Sequence, residues 1–397
     1  MRIGAIFCKV FGGRGSPIVP WGFSLKNRRT AGLLVILALV GYFSLGVLDS
    51  VGGSPDAGLR DRFLQSDNYD PVRGGFVNPN QPEMDDAQRR ATNWRNIRDY
   101  VLTENQREPA EALPQQIPDY ERFLADGDGL KLIWFGHSSF LLNMEGTVIL
   151  VDPVFANASP FSFFGNRYMP PVSTVEQLPE IDVVLISHDH YDHLEADTVR
   201  YFAGKDTTFI VPLGLGAHLS AWGVDSNRVI ERDWWESVEH GAVAFTATPA
   251  QHYSGRRGFG GNQSLWASWV MQSGRHSVYF SGDSGYAPHF KEIGDRFGPF
   301  DIAFIETGQY NEAWRMIHML PQEGVMALRD LNAQRYFPVH WGMFTLALHS
   351  WFEPIETISR LAEKEDFPLV APVIGQLVDV SSDTSFPRWW ERRAGRE

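Results

Sequence analysis

The sequence predicts an α/β fold assembled from two half-domains, each built around its own sheet. From Lys131 onward, short apolar runs of strand character alternate with turns and helical stretches, the order that lays helices against sheets. A strand pair ending in Val151-Asp152-Pro153 is echoed by a pair ending in Gly282-Asp283-Ser284, as two related halves would give. Hydrophobic residues make up 43% of the 397 residues, enough for a sizeable core and too many for wholesale disorder.

The N-terminal elements are of a different kind. Residues 1–30 carry six basic side chains (Arg2, Lys9, Arg14, Lys26, Arg28 and Arg29) and no acid, and 31–48 follow without a charge. Eighteen helical residues rise roughly 27 Å, close to the ~30 Å hydrocarbon core of a bilayer. The basic flank is what the positive-inside rule expects of a signal anchor. The predicted order is therefore a cytoplasmic N-terminus (1–30), a single transmembrane anchor (31–50) and the bulk of the chain outside the cell membrane. Residues 51–125, rich in Gly, Pro, Asn, Asp and Gln, read as a polar spacer and strap with one helix over Asp85–Leu102.

The catalytic domain is expected over 126–380, with a tail at 381–397. Residues 131–135, 139–144 and 147–153 read as a meander. Strands at 181–187, 207–212, 242–249, 265–272, 277–283, 301–306 and 335–340 follow, with helices at 194–203, 214–222, 290–297 and 322–331. Trp389-Trp390, followed by Arg392 and Arg393, suits a bilayer surface or a polar tail equally well.

Net charge and cysteine content narrow the chemistry. The chain carries −13; without the six N-terminal cations, 29 basic residues face 48 acidic ones, a balance of −19. That argues against a nucleic-acid binder relying on phosphate neutralisation. Cys8 is the only cysteine, so any metal must be held by histidine and carboxylate.

The candidate site begins where the apolar run 181–187 meets His188-Asp189-His190-Tyr191-Asp192-His193. In an extended loop His188 and His190 point the same way and can share one ion. Asp192 and His193 turn away and can reach a second ion nearby. Three further strands run into His252, Asp283 and His340, and ligands at one end of a sheet converge in space. Imidazole and carboxylate donors suit Zn²⁺ best, with Fe or Mn as alternatives.

The order H-x-H-x-D-H, then His, Asp and His, is similar to the metallo-β-lactamase superfamily signature. GHSSF (136–140), VDPVF (151–155), RYMPPVS (167–173), TPAQH (248–252), SGDSGY (281–286) and HWGMFTLA (340–347) narrow the resemblance to the family of N-acylphosphatidylethanolamine-hydrolysing phospholipases D. It covers most of residues 130–365 and little of 1–125. It implies an αββα four-layer sandwich and two zinc ions. His188, His190 and His252 would hold one ion and Asp192, His193 and His340 the other, with Asp283 bridging. It also implies a catalytic role for Asp283, a catalytic and substrate-binding role for His318 in positioning the phosphate or protonating the leaving group, and a pocket segment in which Arg167 and Tyr168 contact the substrate, Arg167 either pairing with a phosphate or lying as a surface arginine. His137 and Asp152 are expected to support the ligands, and Asp189 to lie outside the ligand set.

The implied function is cleavage of a glycerophospholipid, with a membrane and its lipid as partners. A hydrolase of a soluble lactone or cyclic phosphodiester, and a non-catalytic metal-binding protein, are the competing classes. The oligomeric state is left open, a homodimer included.

Overall fold

The computed structural model describes residues 47–91, 98, 105–125, 129–161, 164–256, 261–382 and 385–393. Among them no helix is long and apolar enough to cross a membrane. The expected anchor lies outside the described residues except for its final positions from Val47 onward.

After a helix at Ala57–Phe63 comes a short ribbon of β1 (Tyr69–Asp70) and β2 (Gly75–Phe76). A helix at Gln81–Ala91 follows, beginning four residues before the predicted start because Pro82 suits a helical first turn; most of 92–102 lies outside the described residues. The meander is β3 (Leu130–Trp134), β4 (Phe140–Met144) and β5 (Thr147–Val151). Then come β6 (Val183–Leu185), β7 (Thr208–Pro212), β8 (Val229–Arg232), β9 (Ser237–His240), β10 (Val243–Thr248), β11 (Ser268–Gln272), β12 (Ser277–Phe280), β13 (Ile302–Glu306), β14 (Tyr336–Val339) and β15 (Leu377–Asp379).

These strands form two large sheets, ordered β15-β3-β4-β5-β6-β7-β8 and β14-β13-β12-β11-β10-β9. Each half runs an antiparallel meander into parallel neighbours: β3-β4-β5 into β6, and β10-β11-β12 into β13. This is the physical content of the sequence echo at Asp152 and Asp283.

Alternation along the strands sorts side chains to the two faces of the first sheet. Leu130, Leu132, Trp134, Phe140, Leu142, Ile149 and Val151 enter the core between the sheets. Ile133, Leu141, Leu150, Val184, Phe209 and Val211 face outward and are covered by Val199 and Phe202 of helix Ala196–Ala203 and Leu219 of helix Gly216–Ala221. Helices His289–Phe297, Pro321–Asp330 and Glu353–Glu365 cover the second sheet through Phe290, Ile293, Val325, Leu328, Ile355 and Ile358. The result is a four-layer αββα sandwich. Phe140 of β4 stacks on Phe304 of β13 at 4.1 Å, and Trp269 of β11 donates to the Ile186 carbonyl at 2.9 Å, tying the sheets together next to the site.

The described part of 51–125, expected as a spacer and strap, is tied to the sandwich, and Val47 onward belongs to the same compact unit. Gln115 bridges to Ile374, and Asn78 Nδ2 donates to the His252 carbonyl at 2.8 Å. Trp389 and Trp390 are buried, with Trp389 stacked on Trp341 at 5.4 Å, so they belong to the core and neither faces a bilayer.

Candidate metal centre

Every candidate ligand comes from a strand end or the loop beyond it, at one edge of the two sheets. The loop after β6 carries His188 to His193 and is closed by a turn in which His193 N and Leu194 N both donate to the His190 carbonyl (3.1 and 2.9 Å). His252 follows β10, Asp283 follows β12 and His340 follows β14 directly. Gly282 takes φ +54°, and a Cβ there would lie 2.9 Å from the Ala267 carbonyl oxygen and from Ser187 Cβ, so only glycine lets Asp283 approach the loop. His137, Asp152 and His340 hold positive φ without being glycine (52°, 38° and 67°), and such backbone persists only where surrounding contacts impose it.

The donors form two groups sharing one oxygen. In the first, His188 Nε2 and His190 Nδ1 are 2.9 Å apart and His190 Nδ1 and His252 Nε2 are 3.2 Å apart. Asp283 Oδ2 lies 3.8 Å from both His188 Nε2 and His252 Nε2. In the second, Asp192 Oδ2 is 3.5 Å from His193 Nε2 and 3.4 Å from His340 Nε2, and Asp283 Oδ2 is 3.2 and 3.1 Å from the same nitrogens. A tetrahedral ion with bonds of about 2.0–2.1 Å requires donor–donor edges of roughly 3.3 Å, and these separations bracket that value. Asp283 Oδ1 and His193 Nε2 are buried with no hydrogen-bond partner, as donors waiting on a cation would be. The residues therefore fit metal ions. His137, expected only as a support, also reaches the second group, with Nε2 2.9 Å from Asp192 Oδ2.

Behind the donors a second layer fixes ring orientation. His193 Nδ1 meets Asp152 Oδ2 at 2.7 Å, and Asp152 also accepts from Ser187 N and Oγ. His188 Nδ1 meets Ser187 Oγ (2.9 Å), His252 Nδ1 the Ile317 carbonyl (3.1 Å) and His340 Nδ1 the Gly308 carbonyl (3.3 Å). Each ring thus presents its other nitrogen to the centre.

Burial, together with the charge of His193, holds His188 well below the ordinary imidazole pKa; burial does the same to His252. For His193 and His340 burial also opposes the proton, but Asp283 and Asp192 outweigh it: His193 is raised well above its ordinary value and His340 to about 10.

Asp189 is buried away from the donors. Its carboxylate accepts from Gly255 N (2.7 Å) and Ser264 Oγ (3.1 Å) and faces His218 Nε2 (3.3 Å). Arg256 donates to the carbonyls of Asp189 and Leu194 (2.7 and 2.8 Å), clamping both ends of the metal loop.

The centre lies in a cavity of about 950 Å³. His190, Asp192, His252, Asp283, His318 and His340 all line it, and Phe76, Met84, Phe164, Trp314 and Leu346 supply apolar wall. His318 Nδ1 faces Glu306 Oε1 at 3.1 Å, and Glu306, buried, also accepts from Ser284 N and Met319 N at 2.8 Å each. Sequence reasoning missed Glu306, although the signal was present: an acid closing the apolar run of β13 in the place where β6 leads to His188.

Arg167 and Tyr168 are not among the lining residues. The Arg167 guanidinium donates to the carbonyls of Val154 (2.9 Å), Ala156 and Met169, and Tyr168 Oη donates to those of Phe344 and Arg107 (2.8 and 3.0 Å). The Arg167 guanidinium braces the loop from within, while Tyr168 and the Arg167–Phe344 backbone bridge fasten it to the segment after His340.

A β-lactamase superfamily domain model matches residues 147–341. The chain is 34% identical over 325 residues to N-acyl-phosphatidylethanolamine-hydrolyzing phospholipase D 1 of Caenorhabditis elegans, covering 75% of this chain and 89% of that protein. The chain belongs to the metallo-β-lactamase superfamily. Within that superfamily it is also 40% identical over 347 residues to an uncharacterized protein of Mycobacterium tuberculosis, covering 85% of this chain and 91% of that one. A possible metal-dependent hydrolase from Veillonella parvula shares the fold (TM-score 0.51, 16% identity, 63% of this chain and 99% of that one). A metal-dependent hydrolase is the activity that the fold, the donor groups and the relatives support together.

Proposed function

We propose that this metallo-β-lactamase-fold hydrolase is a dinuclear-zinc phosphodiesterase of the phospholipase D type. Its substrate would be N-acylphosphatidylethanolamine or a related glycerophospholipid, cut to phosphatidic acid and the headgroup alcohol. The observation that carries the reading is the sharing of Asp283 by two donor groups inside a cavity of lipid-admitting size with apolar walls. The Caenorhabditis elegans relative supports the choice of bond. His188, His190 and His252 would hold one ion and Asp192, His193 and His340 the other. When bound, the ions would supply an activated water at neutral pH and positive charge toward the phosphoryl oxygens.

The remaining work falls to the chain's own side chains. His318 lines the cavity with Nδ1 held by Glu306; protonated on both ring nitrogens, it would donate Nδ1–H to Glu306 and its Nε2 proton to a phosphoryl oxygen or to the departing headgroup oxygen, which leaves the ring neutral. The apolar walls exclude water and bind acyl chains, and that remote contact can align phosphorus for in-line attack. The uncharged run 31–48 and its basic flank support attachment to the cell membrane with the catalytic domain outside.

Hydrolysis in ¹⁸O water, read by mass spectrometry, tests the proposal. Label in phosphatidic acid is expected. Label in a released fatty acid would indicate ester hydrolysis, and turnover of small lactones with no action on any phospholipid would favour the soluble-substrate class.

A further inference from the structure

Residues 49–53, which follow the uncharged run 31–48, are seated on three side chains, and two of these also hold Asp189. Asp189 stands between the ligands His188 and His190. The first route runs through Arg256, which is 6% exposed. Its Nε and Nη2 donate to the Ser50 carbonyl (3.0 and 2.7 Å), while Nη1 donates to the carbonyls of Asp189 and Leu194 (2.7 and 2.8 Å). One guanidinium therefore fixes residue 50 against both ends of the metal loop. The second route runs through His218 of helix Gly216–Ala221, whose Nε2 faces Asp189 Oδ2 at 3.3 Å. Gly52 lies against the other nitrogen of that ring: it holds φ +79°, and a Cβ there would overlap His218 Nδ1. A Cβ at Gly53 would overlap the Ala217 carbonyl oxygen. Trp222, stacked on His218, completes the seat by donating Nε1 to the Asp49 carbonyl at 2.9 Å.

These contacts give the segment a hold on the metal donors. A buried guanidinium keeps its N–H groups paired. Without residue 50, Nε and Nη2 would lose their carbonyl, water would enter beside Arg256, and the side chain could turn away from the loop. Gly52 in turn confines the His218 ring to the position that meets Asp189. Loss of the segment would free both supports of Asp189 at once. His188 Nε2 and His190 Nδ1, 2.9 Å apart, depend on that residue for their spacing. Outer partners act on metal affinity because they fix the donors before the ion arrives.

We infer that residues 49–53 are an outer part of the metal centre: seated on Arg256, His218 and Trp222, they set the chain's affinity for its ions, an inference that rests on the metal reading of the donor groups. Linkage makes the effect reciprocal, so a bound ion holds the segment in its seat by the same factor. The chain that leaves the run 31–48 is thereby coupled to metal loading.

The test uses the full chain in detergent micelles, as wild type and as Gly52→Ala, Gly53→Ala and Gly58→Ala. The last is a control at an exposed helix position, where a Cβ would meet Asp56 at an ordinary 3.6 Å. Chelator competition reads zinc affinity, and far-ultraviolet dichroism reads the fold. Gly52→Ala and Gly53→Ala should each weaken zinc binding on the order of tenfold with native dichroism, and Gly58→Ala should not. Combined with Arg256→Ala, Gly53→Ala should cost less than the product of the two separate losses, because both act through the same contacts. Unchanged affinity in both seat variants, an equal loss in Gly58→Ala, or losses that multiply would overturn the inference. A second measurement needs no variant. Zinc should slow amide hydrogen exchange across residues 49–53 of the wild type on the order of tenfold, and more than across helix Ala57–Phe63. Equal protection of the two stretches would also overturn it. A wild-type chain that takes up no zinc would remove the metal reading and this inference with it; zinc uptake indifferent to the segment would remove the inference alone.

Discussion

Asp283 places a single oxygen within 3.1–3.8 Å of four imidazole nitrogens from two donor groups, and no neighbouring acid has that reach. Asp152 is committed to His193 and Ser187, and Glu306 to His318 and two backbone amides. A neutral amide is a poor bridge, so Asp283→Asn should reduce turnover on the order of a thousandfold while far-ultraviolet dichroism stays native. Near-normal activity would remove Asp283 from the site. Arg256 acts at one remove: among the described residues its guanidinium meets loop carbonyls, that of Ser50 and two aromatic faces. Arg256→Ala should weaken zinc affinity roughly 10–100-fold, the usual effect of losing an outer-shell support. Chelator competition measures this, and an unchanged affinity would reduce Arg256 to a surface tie.

At the scale of elements, the sequence was most legible where strands are apolar and ligands close them. Ile181–Ser187 and the 277–283 run were readable because buried strands need apolar side chains and the polar residues beyond them need a purpose. Strands β8, β9 and β15 were not legible: Val229–Arg232 and Ser237–His240 are half-exposed edge segments, and Leu377–Asp379 is too short to show a period. The helix at Glu353–Glu365 was also missed, although Ile355 and Ile358 pack into the core. Arg167 illustrates another limit. A charged residue in a pocket segment reads as a ligand contact, but local carbonyls competed for its donors, and sequence does not show where a loop's carbonyls point. The Trp389-Trp390 pair was ambiguous for a similar reason, since tryptophan suits both a core and an interface. Its burial predicts that Trp390→Ala costs about 3–5 kcal/mol in chemical denaturation. Full stability with weakened vesicle binding would instead return the pair to the membrane.

For the molecule as a whole, the donor groups couple metal loading to protons. In the metal-free chain His193 and His340 neutralise Asp192 and Asp283, with His340 raised to about 10. A raised imidazole is protonated at pH 7.5, so loading must expel those protons, and zinc affinity should climb with pH toward about 10 and fall in acid. The contribution of these two protons to metal-free stability runs the other way: it is complete below about 6.5 and lost as pH rises through the folded values. Calorimetric zinc titrations in buffers of different ionisation enthalpy should report release of about two protons per chain, and a heat independent of buffer would contradict the coupling. The central claim, that these histidines and aspartates are a two-ion centre, is tested most directly by counting metal. Emission spectroscopy on the purified full chain after zinc reconstitution should find close to two ions per chain, and fewer in His190→Ala. A folded wild-type chain that retains no metal after reconstitution would contradict the account.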